Sequence, residues 1–261
     1  MKYPSRYFLA LILALCLPHK VGATELTYPE IVFDDVKHVI TAPSRWETGD
    51  WSRAEWTSLA VLGTAVLIDR PLRDEMRRFS GSDPFIKQVE RFGAEYAPVV
   101  LGGFYLAGVA TDDLNALSVA QDGLAASLIA SGIITPAIKL VTGRSRPRDN
   151  AGIANFKPFS EPNASFPSGH TTEAFALAAV IADHYNENWV DYTAYAVAGM
   201  VGLARTYHHA HFASDVVLGA IIGTLVGKSV VTHNTALRSD KLVLLPEVSR
   251  GLIGVRISGN F

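Results

Sequence analysis

The chain holds one cysteine, Cys16, and it lies within a leader-like N-terminus. Once that leader is removed there would be no thiol, no disulfide and no Cys-ligated metal, so the fold must rest on its core alone. Charge is scarce as well. Asp, Glu, Lys and Arg make up 18% of the 261 residues, and 23 Lys+Arg stand against 25 Asp+Glu. That balance excludes a general nucleic-acid binder, and a hydrophobic content of 49% excludes disorder. Long uncharged runs are also missing. The longest, 96–111 and 123–138, are 16 residues each, short of the roughly 18 to 20 that a spanning helix needs. A soluble or peripherally attached protein is therefore expected in preference to an integral one, with membrane association kept as the alternative because charges at segment ends can snorkel.

The N-terminus has the parts of a secretory signal. Lys2 and Arg6 precede an apolar run from Tyr7 to Leu17, and Val21-Gly22-Ala23 places small residues where a signal peptidase would cut. Residues 1–23 are expected to be removed, leaving 24–261 as a single exported domain, periplasmic or otherwise outside the cytoplasm.

The remaining pattern is helical with short breaks. Val32, Val36, Val39 and Ile40 share one face of a helix that starts near Pro29 and stops at Pro43. Ser52-Arg53-Ala54-Glu55 reads as a capping box for a helix over 56–68, with Trp46, Trp51 and Trp56 crowded at its entrance as packing residues. Asp83-Pro84 opens another helix, and Asp112 to Asn115 caps a long one reaching Lys139. The proline-broken stretch 144–161 is a loop. Further helices are expected over 171–184, 189–204 and 214–232. In the tail 240–261, the runs 242–245 and 252–257 read as a short β-hairpin. The expected fold class is all-α, a bundle of about six core helices with that hairpin appended.

Three blocks carry the chemistry. Lys139 is followed after six residues by Arg146-Pro147, Pro167-Ser168-Gly169-His170 opens a helix, and Arg205 is followed by His211 and Asp215. Lys139, Arg146 and Arg205 supply three positive charges, and guanidinium groups suit bidentate contact with phosphate oxygens. Ser168 and Gly169 sit at a helix N-terminus, where free N–H groups and the macrodipole favour an anion. Asp215, four residues after His211, can take the proton of one ring nitrogen and leave the other free to attack, while His170 remains to protonate the leaving oxygen. His208 and His209 read as structural or surface residues, and a metal cluster formed by them with His211 is disfavoured because adjacent ligands point apart. Arg144 and Arg148 read as solvated loop charges. His184 and His233 have no local partner.

These blocks resemble the signature of the type 2 phosphatidic acid phosphatase superfamily, which includes acid phosphatases, membrane lipid phosphatases and vanadium haloperoxidases. The resemblance covers about 117–232. It implies a helical bundle that hydrolyses phosphate monoesters, lipid phosphates or diphosphates without metal or cofactor. His211 would be the nucleophile, Asp215 its orienter and His170 the general acid, with Lys139, Arg146, Ser168, Gly169 and Arg205 as phosphate ligands. Ala204 departs from the pattern, which usually has Ser there. A vanadate-dependent haloperoxidase and a catalytically silent lipid-phosphate binding module are the competing readings. The expected partner is a phosphate ester or lipid phosphate, not nucleic acid.

Overall fold

The computed structural model describes residues 27–79, 83–160 and 164–239, together with the backbone of 243–249 and 252–258. The expected signal peptide lies outside the described residues. Nine helices are present among them. They are α1 Tyr28–Thr41, α2 Thr48–Leu67, α3 Asp69–Met76, α4 Pro84–Arg91, α5 Ala97–Thr111, α6 Leu114–Thr142, α7 Gly169–Tyr185, α8 Asn188–Tyr207 and α9 Ala213–Ser239. The all-α class stands, but the count exceeds the expected six. Eight-residue helices such as α3 have too few turns to show a hydrophobic period.

The capping expectation for α2 is corrected. This helix starts eight residues before Trp56, at Thr48, where Glu47 and Asp50 form the reciprocal cap and the Glu47 N–H donates to Asp50 Oδ2 at 3.1 Å. The nearby tryptophans are corrected too. Trp51 and Trp56 are 52% and 71% exposed, so they face outward instead of packing in the core.

The expected C-terminal hairpin is not a supported element of this architecture. Val243–Ser249 pairs antiparallel with Leu252–Ser258 along the backbone, but the turn and all side chains of both segments lie outside the described residues.

The core forms where α6, α7 and α9 meet, with Val119, Ile129, Val180 and Val230 fully buried. Close approach is built into α9. A Cβ added at Gly219, Gly223 or Gly227 would stand 2.7, 2.3 or 2.7 Å from the backbone oxygens of Ser168, Thr172 and Ala176. This i, i+4 stripe seats the start of α7 against α9 and fixes the Pro167–His170 segment beside the start of α9.

At the opposite end of the bundle, Asp122 accepts from His184 at 2.8 Å, from Asn234 at 2.9 Å and from both Arg238 amino groups at 3.0 and 2.6 Å. His233 pairs with Asp34 at 2.8 Å. Both histidines left without partners by sequence thus find them across the fold, on α1 and α6.

Two helices, Leu114–Thr142 and Ala213–Arg238, are long and apolar enough to cross a membrane by length and composition. Counting between charges missed them, because Asp122 and Lys139 interrupt the first and Lys228 interrupts the second.

Candidate active site

Four helix ends converge. The C-termini of α6 and α8 bring Lys139 and Arg205, and the N-termini of α7 and α9 bring Ser168, Gly169, His170 and Asp215. The loops between them add Arg146 and His211. The structure thus brings all eight sequence-derived residues to one end of the bundle.

His211 is 3% exposed. Its Nδ1 lies 2.7 Å from the Ser165 carbonyl oxygen, an acceptor only, so Nδ1 carries the proton and donates. The other nitrogen, Nε2, carries the lone pair and accepts a long hydrogen bond from Arg146 Nη1 at 3.4 Å. Burial pushes the imidazole down to about 3; Lys139 and Arg146 push the same way and Asp215 opposes them. The ring is therefore neutral at ordinary pH, as a nucleophile must be.

Asp215 is placed differently from the spacing argument. Its carboxylate is 3.7 Å from His211 Nδ1, beyond hydrogen-bond distance. Its Oδ2 accepts from the Phe212 N–H at 2.8 Å and from the Ser165 hydroxyl, whose own carbonyl holds the imidazole. Asp215 thus reaches His211 through Ser165 as well as through space.

The cations are held by backbone oxygens. Lys139 Nζ donates to the Ala164 carbonyl at 2.6 Å, and Arg146 Nη1 to the Ala210 carbonyl at 3.0 Å. Burial and the neighbouring Arg148 and Arg205 push the Arg146 guanidinium down to about 10, still charged at neutral pH. Arg205 gives Nη1 to Glu90 at 2.8 Å, and its buried Nε has no partner. A buried guanidinium N–H without an acceptor is costly, and an anion seated beside it would remove that cost. Ser168 is fully buried, its Oγ accepting from Thr171 Oγ1 at 2.8 Å. At Gly169 an added Cβ would meet only Thr135, at 3.7 Å.

Three half-buried cations, a helix N-terminus and two histidines in this geometry set the comparison with known proteins. Residues 123–238 match the PAP2 superfamily. A lipid A 1-phosphatase of Rhizobium johnstonii is 34% identical over 127 residues, 46% of this chain and 51% of that protein. Lipid phosphate phosphatase 1 of Arabidopsis thaliana is 29% identical over 66% of this chain and 64% of its own length. The chain therefore spans about half to two thirds of these curated relatives. A solved structure, the transmembrane PAP2 type phosphatidylglycerolphosphate phosphatase from Bacillus subtilis, aligns over 80% of this chain and 96% of that one, at 21% identity and a TM-score of 0.41.

Around the PAP2 blocks lie residues that sequence reasoning missed or misread. Arg144 is not a solvated loop charge. It is 3% exposed, bridges Asp69 at 2.7 Å and Asp215 at 2.6 Å, and lies 4.2 Å over the Phe212 ring. Asp69, on α3, also accepts from the Ser214 N–H at 2.8 Å and so caps the start of α9. Glu90, on α4, accepts from Arg205 and from His208 Nδ1 at 2.7 Å. Burial raises its carboxyl, but His208 and Arg205 outweigh that and hold it below the usual range. No spacing signal marks Asp69 or Glu90, which lie 145 and 115 residues from the partners they hold. Arg148 is exposed, as expected of a loop charge. Of the three neighbouring histidines, His208 turns to Glu90 and His211 to Ser165, so they do not converge.

Proposed function

We propose that this chain is a metal-independent phosphatase acting on lipid phosphates or related phosphate esters through a phosphohistidine. The observation that carries the reading is the buried, unprotonated Nε2 of His211, held only by a long contact to Arg146 at the end of the bundle where α7 begins. The names of the relatives support a lipid phosphate as substrate.

In the first step Nε2 attacks phosphorus, the N–P bond forms and the ester P–O bond breaks. Lys139, Arg146, Arg205 and the N–H groups opening α7 take up the negative charge gathering on the equatorial oxygens. His170, which burial and Arg205 push down to about 3, takes up a proton when the phosphate anion sits beside it and gives it to the departing oxygen. In the second step water attacks phosphorus, His170 takes the water proton, and the N–P bond breaks to release inorganic phosphate. The three side-chain cations do the electrostatic work that a divalent ion does in other phosphatases.

Purified protein should release phosphate at an undiminished rate in excess EDTA, and vanadate should inhibit by occupying the same cradle in a geometry like the transition state. Loss of turnover in EDTA with recovery on added magnesium or zinc refutes the reading.

The same proposal takes 24–261 as one exported domain held at a membrane by α6 and α9, with the site on the extracytoplasmic side. Outward-facing Trp56, Leu62, Val66 and Leu67, each at least 60% exposed, give α2 an apolar face suited to lipid. The protein should sediment with membranes after a carbonate wash and enter solution only with detergent. Recovery in the osmotic-shock fluid refutes membrane attachment.

A further inference from the structure

Beside His170 lies a cavity of about 330 Å³ between α5, α6 and the first turn of α7. Its walls are mostly small or apolar, with Gly93, Ala97, Pro98 and Leu101 among them. Two features do not fit a merely apolar cleft. Glu173 lines it and is 8% exposed, and among the described residues no cation pairs with it. Its Oε1 accepts from the Ser127 hydroxyl at 2.6 Å. Ser131, one turn further along α6, faces the same carboxyl, yet its buried Oγ makes no hydrogen bond of good geometry. Burying a carboxyl and a hydroxyl with so few partners is costly unless something else completes the set.

The local backbone points the same way. From Leu128 to Ile134, α6 runs as a π-helix, and Leu128, Ser131 and Gly132 of that segment line the cavity. Such widened turns are frequent at functional sites, because they re-aim side chains at the expense of regular hydrogen bonding. On α7, His170 and Glu173 are three residues apart, share one face and border the same cavity. A group placed for proton transfer from His170 would have its next atoms within reach of Glu173 and Ser131.

We infer that this cavity receives the leaving alcohol of the substrate, and that Glu173 and Ser131 select an alcohol bearing further hydroxyl groups, a polyol or sugar, by hydrogen bonding to them. The inference rests on the phosphatase reading above and adds to it the chemical class of the leaving group. A carboxyl beside a hydroxyl offers both acceptors and a donor, which matches a diol and leaves a plain alkyl chain with two unsatisfied protein groups.

The test compares glycerol 3-phosphate with propyl phosphate, which has the same carbon chain without the two free hydroxyls. The full chain should favour the glycerol ester in kcat/KM by about tenfold or more, the worth of one to two neutral hydrogen bonds. Glu173→Leu should cut that ratio about tenfold and Ser131→Ala about threefold. Ser131→Ala removes one atom group at a half-buried position, so it keeps the test decisive should Glu173→Leu fail to fold. A ratio near one in the unaltered protein, or the same ratio in both variants as in the unaltered protein, overturns the inference. A preference for ethanolamine phosphate over both esters also overturns it, since the cavity would then take an amine. Nitrophenyl phosphate separates the two levels of argument. If it releases no phosphate, the phosphatase reading itself fails and the leaving-group assignment falls with it. If it is hydrolysed while the glycerol ratio is flat, the leaving-group assignment alone is wrong.

Discussion

His211→Ala is expected to abolish turnover on every ester, by about 10⁵-fold or more, because it removes the proposed nucleophile itself. His208 turns away to Glu90. His170→Ala should behave differently. If His170 only protonates the departing oxygen, its loss should cost roughly a hundred- to ten-thousandfold on an alkyl phosphate, the usual worth of a positioned acid. On nitrophenyl phosphate, whose leaving group departs as a stable anion, the cost should be far smaller. The readout is the mutant-to-native ratio of kcat/KM on each ester. Equal losses for His170→Ala on both would remove it from the role of acid. Selective survival of His211→Ala on the nitrophenyl ester would mean that the two histidines have exchanged roles.

The clustering of the candidate site residues was legible in the sequence because each of the blocks is local. Pro167 to His170 is one turn entering a helix, and His211 to Asp215 is one turn entering another, so spacing alone places the side chains. What spacing could not show is who holds whom. Asp215 looked like the direct partner of the imidazole by its i, i+4 position, yet the Ser165 carbonyl takes that proton, and Ser165 lies 46 residues earlier. Arg144 was misread for a related reason. Alternating charges in a proline-broken loop look solvated, and its two carboxylate partners come from α3 and α9. The helices of the bundle were legible where they carry several turns. The start of α2 was misplaced because two capping patterns, Glu47 to Asp50 and Ser52 to Glu55, sit five residues apart and only packing selects between them.

Arg144 therefore carries the second large expectation. Its guanidinium stands between two buried carboxylates, Asp69 and Asp215, each within 2.7 Å, and it also donates to Ser214 Oγ at 2.8 Å and to the Ile153 carbonyl. Removing one member of such a set leaves like charges buried without compensation, which typically costs about 3–5 kcal/mol. Arg144→Leu should accordingly lower the thermal unfolding midpoint by roughly 6–20 °C, at about 2–4 °C per kcal/mol for a chain of this size. Arg144→Lys should recover only part of this, because a single ammonium cannot face both carboxylates with the fork geometry of the guanidinium. The loss should reach the site as well. Asp215 would relax away from Ser165 and the Phe212 N–H, and the His211 ring would lose its aim. A displacement of about 1 Å in a reacting group is enough for about a hundredfold in rate. A drop in kcat with little change in KM is expected, since the proposed phosphate ligands Lys139, Arg146 and Arg205 are left in place. The pair Asp69→Asn and Arg144→Leu should be strongly non-additive, because once Arg144 is gone a neutral residue at 69 relieves the repulsion that its absence created. Additive effects on the midpoint, or an Arg144→Leu protein as stable and active as the native chain, would show that the buried bridge neither supports the fold nor positions the nucleophile.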